Sequence, residues 1–251
     1  MRLTTVGTGT AAPSPTRVNA GHLVETHGVR ILFDCGSGVA HRMAALAVDW
    51  PTITHVAITH FHADHVSDLP TLFFAWRWGT LPPRSAPLEL LGPPGTDALL
   101  ARLEDALGPV RDLGFHVGVR ELTPGTAAEL ADGVHLEARP VPHTAESIAY
   151  SLHDGERRIV YTGDTGYDPA LGDWARGTDV LLAECSLPES MAIPTHLTPL
   201  QCARLAAIAD PGHLVLTHFY PPVEREDVPA VIAREFGGPV TLAHDGWTTD
   251  F

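Results

Sequence analysis

The stretch AITHFHADHVSDLP, residues 57–70, sets His60, His62, Asp64 and His65 within six positions, directly after an apolar run. Imidazoles packed this closely repel one another when charged, and such a group is hard to bury without a partner. A metal ion is the simplest companion that makes the arrangement favourable. Four residues do not complete a site, so further ligands are expected elsewhere in the chain.

They follow apolar strands in the same manner. His143 comes after Val141-Pro142, Asp164 lies in YTGDTG (161–166), and His218 lies in LVLTHF (214–219). With the first cluster this makes five histidines and two aspartates. Neutral imidazole nitrogens and a carboxylate able to bridge suit a pair of zinc ions or similar divalent ions, with manganese or iron as alternatives. Asp34, at the end of the run LFDCG (32–36), reads as a carboxylate that hydrogen-bonds a ligand histidine and fixes its tautomer. His22, His27, His41, His55, His116, His135, His153, His213 and His244 read as structural or exposed.

The 251 residues carry 44% hydrophobic side chains, enough for a substantial core. Glycines and prolines are scattered, without linker, repeat or low-complexity tract, so residues 1–251 read as a single hydrolase-sized domain. The N-terminus lacks the pattern of a signal peptide, and no apolar run approaches the ~20 residues of a membrane span. Cys35, Cys185 and Cys202 form no metal or disulfide spacing. A cytoplasmic protein is expected. The formal net charge is -14, and all 16 basic residues are arginine. That balance disfavours broad electrostatic binding of nucleic acid, which needs a basic surface.

Strand-like runs cover 2–6, 22–26, 30–34, 53–58, 88–91, 115–122, 134–141, 148–153, 157–161, 180–183, 213–217 and 240–243, and helical patterns cover 37–48, 67–78, 96–107, 198–209 and 230–236. Two halves of alternating strands and helices, with polar residues at strand ends, imply two sheets packed face to face with helices outside: an α/β, four-layer αββα sandwich.

The ordered set His60-x-His62-x-Asp64-His65, His143, Asp164 and His218 resembles the metallo-β-lactamase fold superfamily over nearly the whole length. The resemblance implies that His60, His62 and His143 hold one metal, that Asp64, His65 and His218 hold a second, and that Asp164 bridges them. Two such ions, roughly 3.5–4 Å apart, share a water whose pKa falls to about 7, so that a hydroxide nucleophile is available, and polarise the bond it attacks. Asp64 is counted with the catalytic residues on this ground.

Within the superfamily, Glu184 in LLAECS (181–186) and His196 in THLT (195–198) resemble the ribonuclease Z branch. Carried over, Glu184 orients His196, and His196 donates a proton to the leaving oxygen of a phosphodiester. GTGTAAP (7–13) followed by PTRVN (15–19) looks like that branch's substrate loop, with Arg17 as a phosphate contact. The departures are consistent with a different substrate. Only 20 residues lie between His143 and Asp164, which leaves no room for the tRNA-gripping arm; the loop has one arginine; Ala183 stands for a histidine and Leu197 for a serine. The reading is a dinuclear phosphodiesterase for a small phosphodiester such as a cyclic nucleotide. A lactonase or thioesterase-type carbonyl hydrolase, or a ribonuclease Z-like RNA endonuclease, stands as the alternative. The aromatic run 73–78 is open between a pocket wall, a base-stacking surface and an interface, and a homodimer is expected from the resemblance.

Overall fold

In VRILF (29–33) side chains alternate faces along an extended chain, so Val29, Ile31 and Phe33 point one way and Leu32 the other. Both faces are apolar, and both are buried against different partners. That pattern requires a sheet covered on two sides. The computed structural model describes residues 1–111, 113–123 and 125–251. It has two seven-stranded mixed sheets. The first runs β14 (Trp247–Asp250), β1 (Arg2–Gly7), β2 (Gly21–Thr26), β3 (Val29–Phe33), β4 (His55–Ala57), β5 (Leu88–Gly92) and β6 (Val117–Glu121). The second runs β13 (Val240–Leu242), β12 (His213–Thr217), β11 (Val180–Glu184), β10 (Arg158–Tyr161), β9 (Ile148–His153), β8 (Val134–Pro140) and β7 (Ala127–Ala131).

Ile31, Phe33, Leu136, Tyr150, Leu152 and Val215 belong to the core between the sheets. On the outer face of the first sheet lie α1 (Val39–Ala45), α3 (Leu69–Trp78) and α4 (Thr96–Leu107), which bury Met43, Phe73, Trp76 and Leu100 against Leu32 and Val56. The second sheet is covered by α5 (Pro169–Trp174), α6 (Pro199–Ala209) and α7 (Val228–Ile232). This is the four-layer αββα sandwich expected from the sequence. Each fully buried Leu, Ile or Phe contributes about 1.5–3 kcal/mol.

Boundaries differ where capping outweighs hydrophobic periodicity. The helix expected over 37–48 covers only Val39–Ala45, because Gly38, at φ 91, sits outside the helical region, and Asp68 accepts the Ala40 N–H at 2.8 Å. The pattern over 67–78 corresponds to α3, which starts at Leu69 with Pro70 in its first turn, and a further short helix, α2 (Ala63–Val66), precedes it. The helix expected over 230–236 spans Val228–Ile232, since Asp227 accepts from Ala230 N and sets its start. Helix α6 opens on a capping box between Thr198 and Gln201. Strands β7 and β14 and helix α5 are not evident in the sequence pattern. β14, WTTD, lacks an apolar face and forms by pairing with β1.

The loop leaving β3 lies against the turn that carries Asp64 and His65: Cys35 N donates to His65 O at 2.8 Å and Gly36 N to Ala20 O at 2.9 Å. A Cβ on Gly36 would stand 1.9 Å from the Asp64 carbonyl oxygen, so only glycine allows the approach. Gly36→Ala is therefore expected to destabilise the protein by about 1–3 kcal/mol, as overpacking does. Gly237→Ala, where a Cβ meets nothing within 4 Å, should change little. Urea unfolding of the two variants checks this.

Candidate metal centre

Every candidate residue lies just beyond the C-terminal end of a strand, or in the loop that follows it. Asp34 follows β3, and His60, His62, Asp64 and His65 follow β4. From the second sheet, His143 follows β8, Asp164 follows β10, Glu184 ends β11 with His196 in the loop beyond it, and His218 follows β12. Parallel pairing of β3 with β4, and of β10, β11 and β12, brings each set of ends to one edge. Two of the residues turn sharply there. Asp34 has φ 55 and His218 has φ 59, a left-handed conformation that non-glycine residues seldom adopt.

The convergence is tight. His60, His62, His143 and Asp164 offer ligand atoms within 4.8 Å of one another, and so do Asp64, His65 and His218. The His143 Nε2 and His62 Nδ1 atoms lie 3.1 Å apart. Two nitrogens ~2 Å from one tetrahedral ion are separated by roughly 3.3 Å. Asp164 faces both groups. Its Oδ2 is 3.9 Å from His60 Nε2 and 3.8 Å from His143 Nε2, while its Oδ1 is 3.3 Å from His65 Nε2 and 3.4 Å from His218 Nε2. Asp64 Oδ2 lies 3.4 Å from His218 Nε2 and 3.9 Å from His65 Nε2.

Four of these atoms, His60 Nε2, His65 Nε2, His218 Nε2 and Asp164 Oδ1, are buried without a hydrogen-bond partner among the described residues. A buried unpaired polar atom costs about 1–3 kcal/mol. Four in one place, all aimed at a common centre, fit a pair of divalent ions.

The opposite ring nitrogens are held. His65 Nδ1–H donates to Asp34 Oδ2 at 2.8 Å and His143 Nδ1–H to the Thr195 carbonyl at 2.9 Å. His60 Nδ1 lies 3.1 Å from Thr59 Oγ1, which itself donates to Asp34. Tyr161 Oη donates to the same Asp34 oxygen at 2.9 Å. Each bond fixes a tautomer that leaves Nε2 free for a metal. Thr59, Tyr161 and the Thr195 carbonyl escaped the sequence reading. Thr59 and Thr195 are marked only by adjacency to His60 and His196, and Tyr161 only by standing three residues before Asp164.

Electrostatics follow from the crowding. Burial, then neighbouring imidazoles, push the His60 pKa down to about 2, against the pull of Asp164. For His65 burial works in the same direction, yet Asp164 and Asp34 outweigh it and raise its pKa well above the usual value. Burial raises Asp64, but the neighbouring imidazoles of His218 and His65 bring it to about 2.

His196 stands beside this centre, its ring stacked on that of His218 at 5.9 Å between centroids. Its Nδ1 lies 2.9 Å from Glu184 Oε1. It does not cap α6, since Thr198 does. Glu184 is buried and accepts also from Thr165 N at 2.6 Å and Leu197 N at 3.2 Å. Burial alone would lower the His196 pKa; the bond to Glu184 and the charges of Glu184, Asp164 and Asp64 overcome it and raise the pKa to about 9.

Other expectations look different in three dimensions. Arg17 does not present a free donor pair: Nε donates to Glu224 Oε1 at 2.6 Å, Nη1 donates to Thr8 Oγ1 and to Ala243 O, and the guanidinium lies over Phe219. It pins the N-terminal loop, together with Asp245, which accepts from Thr8 and Val18. Phe73 and Trp76 are core residues, whereas Phe74 and Trp78 are exposed and in contact with each other. His22 is fully buried, edge-on to Tyr161, and burial holds it neutral with a pKa of about 3.

The fold and this cluster define a metal-dependent hydrolase. A family model described as "Beta-lactamase superfamily domain" matches residues 29–219, and the chain belongs to that superfamily. It is 33% identical over 273 residues to a protein named Ribonuclease Z from Mycobacterium avium, covering 98% of this chain and 96% of the relative. Among solved structures it is similar to human tRNase Z, short form (ELAC1), at 27% identity and TM-score 0.81, over 100% of this chain and 99% of the other. The metallo-beta-lactamase fold protein YhfI from Bacillus subtilis superposes with TM-score 0.87 at 22% identity, over 99% of this chain and 98% of that one. Among the described residues no helix is long and apolar enough to cross a membrane.

A pH dependence follows for the chelated protein. The folded His196 pKa, about 9, lies above its ordinary 6.5. Its stabilisation is therefore full below pH 6.5 and is lost as pH rises through 9. The thermal midpoint in chelator should fall across that window, and the fall should be shallower in His196→Ala. Calorimetry across the range measures both.

Proposed function

We propose that the chain is a dinuclear phosphodiesterase acting on a small phosphodiester, with His60, His62 and His143 holding one ion, Asp64, His65 and His218 the other, and Asp164 bridging. Zinc is the metal that five imidazoles and two carboxylates suit best. Such ions, when bound, lower the pKa of water and polarise a phosphoryl oxygen. The observation that carries the reading is the Glu184–His196 pair beside the ligand set.

With Nδ1–H committed to Glu184, His196 has only Nε2 to offer a substrate. Held protonated, it donates to the departing alkoxide oxygen, which is a poor leaving group at neutral pH without a proton. A thioesterase, which expels a thiolate, has no comparable need. Asp64, kept ionised, can accept a proton from the attacking water. The substrate is taken as small because the net charge is -14 and Arg17, the single arginine of the N-terminal loop, is engaged within the protein. Relatives named Ribonuclease Z at 33% identity favour a second reading, an RNA endonuclease.

The test compares bis(p-nitrophenyl) phosphate, cyclic nucleotides and a structured RNA as substrates for metal-loaded protein, with a lactone as control. Turnover of all the small diesters should stop on chelation. In His196→Ala the cyclic nucleotides, which expel an alkoxide, should drop ~100-fold or more, the lower range for general acid–base catalysis, whereas bis(p-nitrophenyl) phosphate, whose phenolate leaves without a proton, should drop far less. Glu184→Gln should lower kcat in the same direction. Cleavage of the RNA with inert small diesters would establish the second reading. Equal cyclic-nucleotide turnover with and without His196 would remove the phosphodiester argument.

A further inference from the structure

Beyond β11 the chain reads Glu184-Cys-Ser186, and Ser186 is fully buried between two loops of the centre. Its N–H donates to Leu197 O at 3.0 Å, next to His196, and its carbonyl accepts from Tyr220 N at 3.2 Å, two residues beyond His218. The side chain spans the same gap. Ser186 Oγ donates to Glu184 Oε2 and lies 2.9 Å from His218 Nδ1.

The direction of these bonds is determined by chemistry. A serine hydroxyl has a single hydrogen, and an ionised carboxylate only accepts. The hydroxyl hydrogen therefore goes to Glu184, and His218 must donate its Nδ1–H to Ser186. That leaves the His218 Nε2 lone pair facing Asp64 and Asp164, at 3.4 Å from each. The other oxygen of the same carboxylate accepts the Nδ1–H of His196 at 2.9 Å.

We propose that Ser186 is a positioning residue that extends the hold of Glu184 to His218, so that one buried carboxylate orients both a metal ligand and the proton donor. The near-parallel His196 and His218 rings, 14° apart, share this anchor. The same device recurs across the centre. Asp34 takes His65 directly and reaches His60 through the Thr59 hydroxyl. Without the Ser186 hydroxyl, the His218 N–H would be buried and unpaired, and nothing would select the metal-binding tautomer.

The inference rests on the ligand assignment of the proposed function but not on any substrate, and the experiment reads binding and tautomer rather than turnover. Metal-free protein is titrated with zinc against a chromogenic chelator for wild type, Ser186→Ala and Ser186→Thr, and urea midpoints establish that each variant folds. Ser186→Ala should retain one binding step and weaken the other ~10–100-fold, the range for loss of an outer-shell partner. Ser186→Thr, which keeps the hydroxyl, should restore it. Proton–nitrogen correlation spectra of the metal-free proteins should show His218 protonated at Nδ1 in wild type and Ser186→Thr, shifting toward Nε2 in Ser186→Ala. Wild-type binding of two ions, with both affinities and the tautomer unchanged in Ser186→Ala, would overturn the inference and leave the proposed function intact. A wild type that binds fewer than two ions would overturn the dinuclear reading, and the spectra would still decide the tautomer.

Discussion

A buried carboxylate with imidazoles on both sides is the constraint on which the centre depends. Asp164 is almost wholly buried, and its two oxygens face different histidine groups at 3.3–3.9 Å. An anion there is tolerable only with positive charge on either side. In the metal-free protein the histidines must provide it, which keeps His65 protonated while His60, crowded by other imidazoles, stays neutral. Divalent cations would resolve that conflict, because they supply the positive charge that Asp164 needs and let the histidines stay neutral. The left-handed backbone of Asp34 and His218 is retained under the same demand, since those turns direct their side chains into the cluster.

Around this nucleus the protein arranges a second tier of acceptors. Asp34, Glu184 and the Thr195 carbonyl each take a ring N–H, and each sits at a strand end or on a loop whose backbone is fixed by neighbours. Thr59 N donates to Asp34 Oδ1 at 2.8 Å, Thr165 N donates to Glu184, and Gly166 N donates to Pro142 O at 2.8 Å. Side-chain geometry at the centre is thus inherited from backbone geometry at the sheet edge.

The sequence made the architecture and the clustering His and Asp residues readable because both leave local marks. Alternation in VRILF and apolar runs ending in histidine or aspartate are short-range signals, and His60 to His65 lie within one turn of chain. What escaped depends on distant pairing. Strand β14 exists through β1, some 240 residues away, and Ser186 means something only once His218 is 2.9 Å distant. Arg17 illustrates the opposite failure. An arginine in a glycine-rich loop looked like a phosphate contact, while the fold supplies Glu224, Thr8 and Ala243 as its partners. The helix ends at 39 and 228 moved because individual caps, not periodicity, set where a helix begins.

The ligands are divided between the two sheets: His60 through His65 come from the first, and His143, Asp164 and His218 from the second. Directional bonds also cross that seam, among them Tyr150 Oη to Ile58 O, Ile148 N to Thr59 O, Tyr161 Oη to Asp34 and Thr26 Oγ1 to Asp154. Divalent metal held by this cluster would therefore be a fastener as well as a reagent. An ion present at 1,000 times its Kd adds about 4 kcal/mol to the folded state, here applied across the joint between the halves. Slippage of one sheet over the other would separate the cluster before either sheet lost its own pairing, so ions bound there would also keep the two halves in register.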